Sequence, residues 1–185
     1  MERCLLEKYS EVIGLPVICG YDGRKLGTVK DVVFCIGEKK VLAFLLETRG
    51  YKIGKKVIFV GDVLSLGRDA LIIGNAKDMQ NIRKVKDRPE FKNKIDILGV
   101  RVYTRSGDEI GTVKDILIDF NLGRMDGVEI SDGLVKDIYE GRNILPLIGK
   151  TEFGEESILV DNESVEEMVG TGGGIRNILV GRKKC

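Results

Sequence analysis

The sequence predicts an all-β chain built as two small barrels in tandem, each with five to six short antiparallel strands and each followed by a short helical turn. Three observations carry this. First, the hexapeptide Leu26-Gly27-Thr28-Val29-Lys30-Asp31 returns as Ile110-Gly111-Thr112-Val113-Lys114-Asp115, inside a longer series of matches in the same order. Second, the apolar runs are short, rich in valine and isoleucine, and bounded by glycine, as half-buried strands are. Third, turn dipeptides fall between those runs at matching places in both copies.

The repeat sets the boundaries. Upstream of the hexapeptides, Ile13-Gly14-x-x-Val17 matches Leu98-Gly99-x-x-Val102, and downstream Gly67–Ile73 matches Gly154–Val160. The offset drifts from 84 to 87 residues, with the drift in or near turns, where insertions are tolerated. The first barrel is expected over 9–82 and the second over 95–169. Residues 83–94 are polar, basic and contain Pro89, so they read as a linker. Residues 170–185 read as a glycine-rich hinge and basic tail.

Taken in order, the strands of the first unit are expected at 12–20, 26–36, 41–48, 56–60 and 69–74. Those of the second are expected at 98–104, 110–120, 125–131, 143–147 and 156–161. Asp22-Gly23 and Ser106-Gly107 supply the first hairpin turns, Gly37 and Gly123 the next. Helical turns are expected around 76–82 and 163–169. A ring of such strands suits a barrel because closure removes exposed edges.

The second strand carries a phase slip. Val32, Phe34 and Ile36 share a face by the two-residue period, and Val29 is out of step; Val113 is out of step with Ile116, Ile118 and Phe120 in the same way. A bulge at Lys30-Asp31 and at Lys114-Asp115 would restore the phase; otherwise Val29 and Val113 face outward. Asp31 and Asp115 then sit where a carboxylate would accept hydrogen bonds from freed backbone donors. Gly27, Asp31, Gly111 and Asp115 are therefore expected to be repeat-equivalent structural positions.

These residues resemble the PRC-barrel family, whose pattern is an apolar-Gly-x-x-Val opening, an apolar-Gly-x-Val-x-Asp second strand, a hydrophobic third strand and an Ile-Pro-like fourth. The chain has the first two motifs twice, as Ile13-Gly14-Leu15-Pro16-Val17 with Leu26–Asp31 and Leu98-Gly99-Val100-Arg101-Val102 with Ile110–Asp115, and the resemblance covers about 145 of 185 residues; Ile144-Leu145-Pro146-Leu147 fits the fourth strand, while in the first unit Phe59 stands where Pro146 stands and departs from the pattern. The resemblance implies PRC-type β-barrels, as in the cytoplasmic domain of the photosynthetic reaction-centre H subunit and the C-terminal half of the ribosome maturation factor. It brings no shared active site, and implies barrels that mainly contact other proteins.

Composition narrows the function. The chain has no histidine, so the commonest general base and metal ligand are missing. Cys4, Cys19, Cys35 and Cys185 form no C-x-x-C pair; Cys19 and Cys35 read as buried thiols in a reducing cytoplasm and Cys185 as an exposed terminal thiol. Asp119, Asp126 and Asp132 lie near turns without calcium-loop spacing. Gly172-Gly173-Gly174 precedes no Lys-Ser/Thr and is no phosphate loop. No catalytic, cofactor or metal residue is assigned. The N-terminus has no signal-peptide pattern and no apolar run spans a bilayer, so a cytoplasmic location is expected.

The net charge of +1 hides a division between the halves. Residues 1–94 hold 19 Lys and Arg against 12 Asp and Glu, a balance of +7, while residues 95–185 hold 11 against 17, a balance of −6. Such a field bears on partners and association. Lys39, Lys40, Leu45, Tyr51, Lys55 and Lys56 are the expected interaction surface; Leu45 is included because the third strand is apolar on both faces, with Glu129 at the matching place. The expected function is a non-enzymatic interaction module that binds a protein partner or itself. RNA or ribosome association through the basic half is the alternative, with a peripheral place in a membrane complex behind it; DNA binding is not expected. Only Tyr51 and Phe91 lie near the lysines as stacking aromatics, which is thin for an RNA reader.

Overall fold

The computed structural model describes residues 6–48, 55–85, 87, 91, 96–133, 137–138 and 141–171. In chain order its elements are β1 (Leu6–Lys8), α1 (Tyr9–Val12), β2 (Pro16–Cys19), β3 (Lys25–Cys35), β4 (Lys40–Glu47), β5 (Lys55–Phe59), β6 (Val63–Leu66), β7 (Leu71–Ile73), β8 (Gln80–Asn81) and α2 (Ile82–Val85). They continue with β9 (Arg101–Thr104), β10 (Glu109–Asp119), β11 (Arg124–Ser131), β12 (Asn143–Pro146), β13 (Glu152–Phe153), β14 (Ser157–Val160), α3 (Asn162–Glu166) and β15 (Val169–Gly170). The fold is all-β, and among the described residues no helix exceeds five residues. Two compact units result: Met1–Lys94 with Ile118–Met125, and Ile95–Leu117 with Asp126–Cys185.

In the first unit the ladder runs β8-β5-β4-β3-β2-β7-β6. β5 is antiparallel to β4, and β6 is antiparallel to β7, with a single 3-10 turn at Val60–Asp62 between β5 and β6. These two strands are thus halves of one bent segment, and the hydrogen-bonded ring stays open at the bend. The β2–β7 pair is parallel. An all-antiparallel barrel was the expectation; a parallel pair arises because β7 and β2 run the same way after that shared segment.

The phase slip is resolved by a bulge. Val29 pairs with Leu46 and Asp31 with Leu45, so Lys30 is the extra residue. Val29 and Val32 then face the same interior and are 2% and 1% exposed, with Phe44, Leu46 and Ile58 beside them. The outer face of the same strands is also dry. Val33, Ala43 and Val57 form a cluster with Val85 of α2, and Leu42, Leu45, Phe59, Ile82 and Phe91 pack against it. The Phe59 and Phe91 rings meet edge to face at 6.0 Å. The stretch expected as a linker therefore supplies Val85 and Phe91 to this core. The hairpin tip 118–125 also belongs here: Phe120 stacks on Phe44 at 5.7 Å, and Val41 N–H donates to the Gly123 carbonyl at 2.8 Å.

The second unit repeats the plan, with β14 parallel to β9 and antiparallel to β13, and β12 between β11 and β15. The registers correspond: Leu45 faces Val57 as Glu129 faces Ile144, and Ala43 faces Phe59 as Gly127 faces Pro146. Val113 and Ile116 are both buried and Lys114 between them is exposed. Glu129, in Leu45's place, is 5% exposed and accepts from Arg142 Nη1 at 3.3 Å; Arg142 Nε donates to Asp137 Oδ2 at 3.3 Å.

Some expectations shift. The strand expected over 12–20 begins only at Pro16, because Tyr9–Val12 is a helical turn. β1, β6, β13 and β15 lack a sequence signal, being two to four residues long. The helical turns expected at 76–82 and 163–169 lie at 76–78, 82–85 and 162–166. Cys19 is buried but Cys35 only half-buried; Cys4, Cys185 and the glycine-rich tail from 172 lie outside the described residues.

Candidate functional site

Each unit presents the same groove, built by a bulge and a glycine. Val17 pairs with Gly27 and Ile18 with Lys25, leaving Leu26 extra; Tyr103 pairs with Glu109 and Val102 with Gly111, leaving Ile110 extra. The end of the following strand, β4 or β11, presses against the glycine. A Cβ on Gly27 would stand 2.6 Å from the Glu47 carbonyl oxygen, and one on Gly111 2.5 Å from that of Ser131. Only hydrogen fits at that contact.

The groove of the first unit, about 340 Å³, is lined by Lys25, Leu26, Gly27, Thr28 and Glu47. That of the second, about 470 Å³, is lined among others by Glu109, Thr112, Lys114, Ser131 and Asp132. The frames match and the charges do not: Lys25 stands where Glu109 stands, and Glu47 where Ser131 stands. Lys30 Nζ reaches Glu47 at 4.0 Å across an exposed pair, which salt screens. Ser131 Oγ accepts from Gly133 N–H at 3.3 Å.

The duplicated carboxylates serve the backbone. Asp31 Oδ1 accepts from Val32 N–H at 2.8 Å and Asp115 Oδ1 from Ile116 N–H at 2.8 Å. Tyr9 adds its hydroxyl to Asp31 Oδ1 at 3.0 Å. These bonds hold the donor displaced by the bulge. Asp119, flagged for its turn position, accepts from Leu122 N–H at 3.0 Å and closes the hairpin tip. Among the described residues no group of three or more Cys, Asp or Glu side chains is placed to hold a metal.

The lysine surface expected from sequence is not one patch. Lys39 and Lys40 lie at the start of β4, while Lys56 and Lys55 pair with Leu46 and Glu47 at its end. Six residues of strand, about 20 Å, separate the two groups. Lys39 takes a left-handed φ of 54°, and Lys40 Nζ meets Glu38 Oε2 at 2.6 Å, which raises the lysine pKa and lowers that of the carboxyl. Leu45 is half-buried against the outer cluster and is no open contact. Tyr51 and the side chain of Lys55 lie outside the described residues.

The matched frames find their explanation in the family comparison. The model of the PRC-barrel domain matches the chain twice, at residues 6–80 and 92–167. The chain belongs to the PRC-barrel family. Its bulges, groove glycines and duplicated aspartates are thus properties of a tandem PRC-barrel chain. The comparison with individual curated proteins gave no match. Among the described residues no helix of this tandem PRC-barrel chain is long and apolar enough to cross a membrane.

What sequence reasoning missed is a surface ionic cluster in the second unit. Arg105 Nε donates to Asp161 Oδ1 at 2.6 Å and its Nη2 lies 3.3 Å from Glu152 Oε1; Lys150 Nζ holds the same Glu152 oxygen at 2.8 Å. Asp161 is pulled below its ordinary pKa, first by the Lys150 backbone N–H and then by Arg105; Glu152 is lowered first by Lys150 and then by Arg105. These residues are far apart in sequence and carry no local motif.

Proposed function

We propose that this chain is a non-enzymatic interaction module that binds a protein partner through the twin bulge-side grooves. The observation that carries this is the pairing of one frame with two linings: the same bulge, glycine and strand end are built twice, while Lys25 stands where Glu109 stands and Glu47 where Ser131 stands. A duplicated frame with diverged charge suits recognition of different polar groups, because complementary charge sets partner choice and encounter rate more than raw affinity. The duplicated carboxylates, which an enzyme would keep for acid–base work, are spent on backbone donors. The free thiol of Cys19, buried with its Sγ 3.7 Å from the Gly74 carbonyl, supports a reducing compartment, and we place the protein in the cytoplasm.

The test is a crosslinked pulldown with the full chain, repeated with K25E and E109K. Capture of one protein that falls with added salt and is lost with either reversal supports the reading. Salt-dependent RNA binding lost when Lys39, Lys40, Lys55 and Lys56 become glutamate would replace it. So would flotation with anionic vesicles that disappears on deleting residues 170–185.

A further inference from the structure

The duplication extends past the barrels. In the first unit α2 closes the outer face of the sheet: Val85 joins Val33, Ala43 and Val57, and Ile82 packs against them. The sequence of that turn, Ile82-Arg83-Lys84-Val85, returns as Ile175-Arg176-Asn177-Ile178, beyond the described residues. Both copies set two aliphatics three apart, on one side of a helical turn, with arginine after the first. The chain reaches both places by the same route. β8 pairs with β5 through Gln80 with Val57 and Asn81 with Lys56, and β15 pairs with β12 through Val169 with Ile144 and Gly170 with Asn143. Ile82 follows β8 directly, whereas Thr171-Gly172-Gly173-Gly174 stand between β15 and Ile175. Thr171 N–H donates to the Arg142 carbonyl at 2.8 Å, so the chain is still held beside β12 where these residues begin. Asn81 Oδ1 accepts from Arg83 N–H at 2.9 Å at the head of α2; Gly174 stands in its place, and glycine is also accepted at a helix N-cap.

The second unit has the matching floor. Leu117, Gly127 and Ile144 stand where Val33, Ala43 and Val57 stand, and a Cβ built on Gly127 would lie 3.5 Å from Leu117 Cδ1 and 3.6 Å from Ile144 Cγ2. Val57 is 0% exposed in the cluster with Val85, while Ile144 is half-buried. Glu129 stands in Leu45's place and accepts from Arg142 at 3.3 Å, so the apolar contact narrows to Leu117 and Ile144. We infer that residues 175–178 are the second unit's copy of α2 and dock on this outer face of β11 and β12, with Ile175 and Ile178 in the places of Ile82 and Val85. Charge agrees with this occupant. Residues 95–169 hold 7 Lys and Arg against 17 Asp and Glu, and residues 170–185 hold four Lys and Arg and no acid. The tether selects the same chain over a second copy: four residues span at most about 14 Å, and so short a link sets a local concentration in the millimolar range. The surface is separate from the grooves.

Burial of two aliphatic side chains, set against the ordering of a segment led by three glycines, leaves the docked form favoured by about tenfold. Hydrogen exchange of the full chain, read by mass spectrometry over residues 175–180, should therefore be about tenfold slower than in a synthetic peptide of residues 172–185. The protection should be the same at every protein concentration. I178S, at Val85's place, should abolish it, and I144S should reduce it from the other side of the contact. N177K, which installs the exposed lysine that α2 has there, should leave it intact. Exchange at the peptide's rate overturns the inference, as does protection untouched by I178S or lost equally with N177K. Protection that grows with loading overturns it too, because a second copy would then be the occupant. Exchange over β14, read in the same spectra, shows that the barrel stays folded in each variant; if I144S unfolds it, I178S and N177K decide the matter alone.

Discussion

Three glycine-to-alanine variants, two at the grooves and one outside them, separate the two physical reasons for glycine in this fold. Gly27 has an ordinary φ, but a Cβ there would stand 2.6 Å from a backbone oxygen. Gly99 has φ +81° with open space around it. Gly111 has both problems, φ +147° and a Cβ 2.5 Å from the Ser131 oxygen and 3.0 Å from its carbon. Overpacking against backbone that cannot swing away costs about 1–3 kcal/mol, and a sparsely populated φ costs about 1–3 kcal/mol. Alanine returns about 0.4–1 kcal/mol by restricting the unfolded chain. G27A and G99A are thus each expected to lose about 1–2 kcal/mol, and G111A about 3–5 kcal/mol. For a chain of this size, G111A corresponds to a fall in Tm of roughly 10 °C. Urea and thermal melts followed by far-UV circular dichroism read all three. G111A no worse than G27A, or within about 0.5 kcal/mol of the parent, would refute the account of the groove.

Other expectations can be checked with the same melts. Asp115→Ala leaves the Ile116 N–H without the carboxylate acceptor at 2.8 Å and should destabilise by about 1–3 kcal/mol, whereas Asp115→Asn keeps an acceptor and should lose less. Val85→Ala should destabilise the first unit by about 1–3 kcal/mol, since Val85 is 1% exposed in the outer cluster; a change near zero would mean that residues beyond 82 are only a tether. Asp161 and Glu152 have folded pKa values below their ordinary ones, so their contribution is fully present above the ordinary carboxylate range and drains away as pH falls through the lowered values. Arg105→Gln should therefore flatten the acid limb of a stability-against-pH curve, and an unchanged limb would show that the cluster contributes nothing.

Much of the frame was legible because it is local. The repeated Gly-x-Val-x-Asp strand, the out-of-step Val29 and Val113, and the matched aspartates each depend on neighbours within a few residues, and the bulge at Lys30 follows from the period of a strand. The sites were less legible. Lys40 and Lys56 look adjacent in a list of lysines, but an antiparallel turn puts them at opposite ends of β4. Leu45 looks like an exposed apolar residue until α2 and Phe91 arrive against the outer face of its cluster. Glu152, Arg105 and Asp161 form one cluster only after a parallel pairing brings β14 beside β9.

Periodicity and duplication, both written along the chain, determined by themselves that this protein is two copies of one bulged β unit with few groups capable of chemistry. Which surfaces are covered was decided by tertiary structure alone. Coverage is a matter of long-range register and of where a following segment returns, and no short stretch of residues encodes either. Hence the apolar outer face of β4 is closed by Val85 and Phe91, from a stretch that is polar and basic in sequence, while the four residues of β6 are left at the end of the sheet.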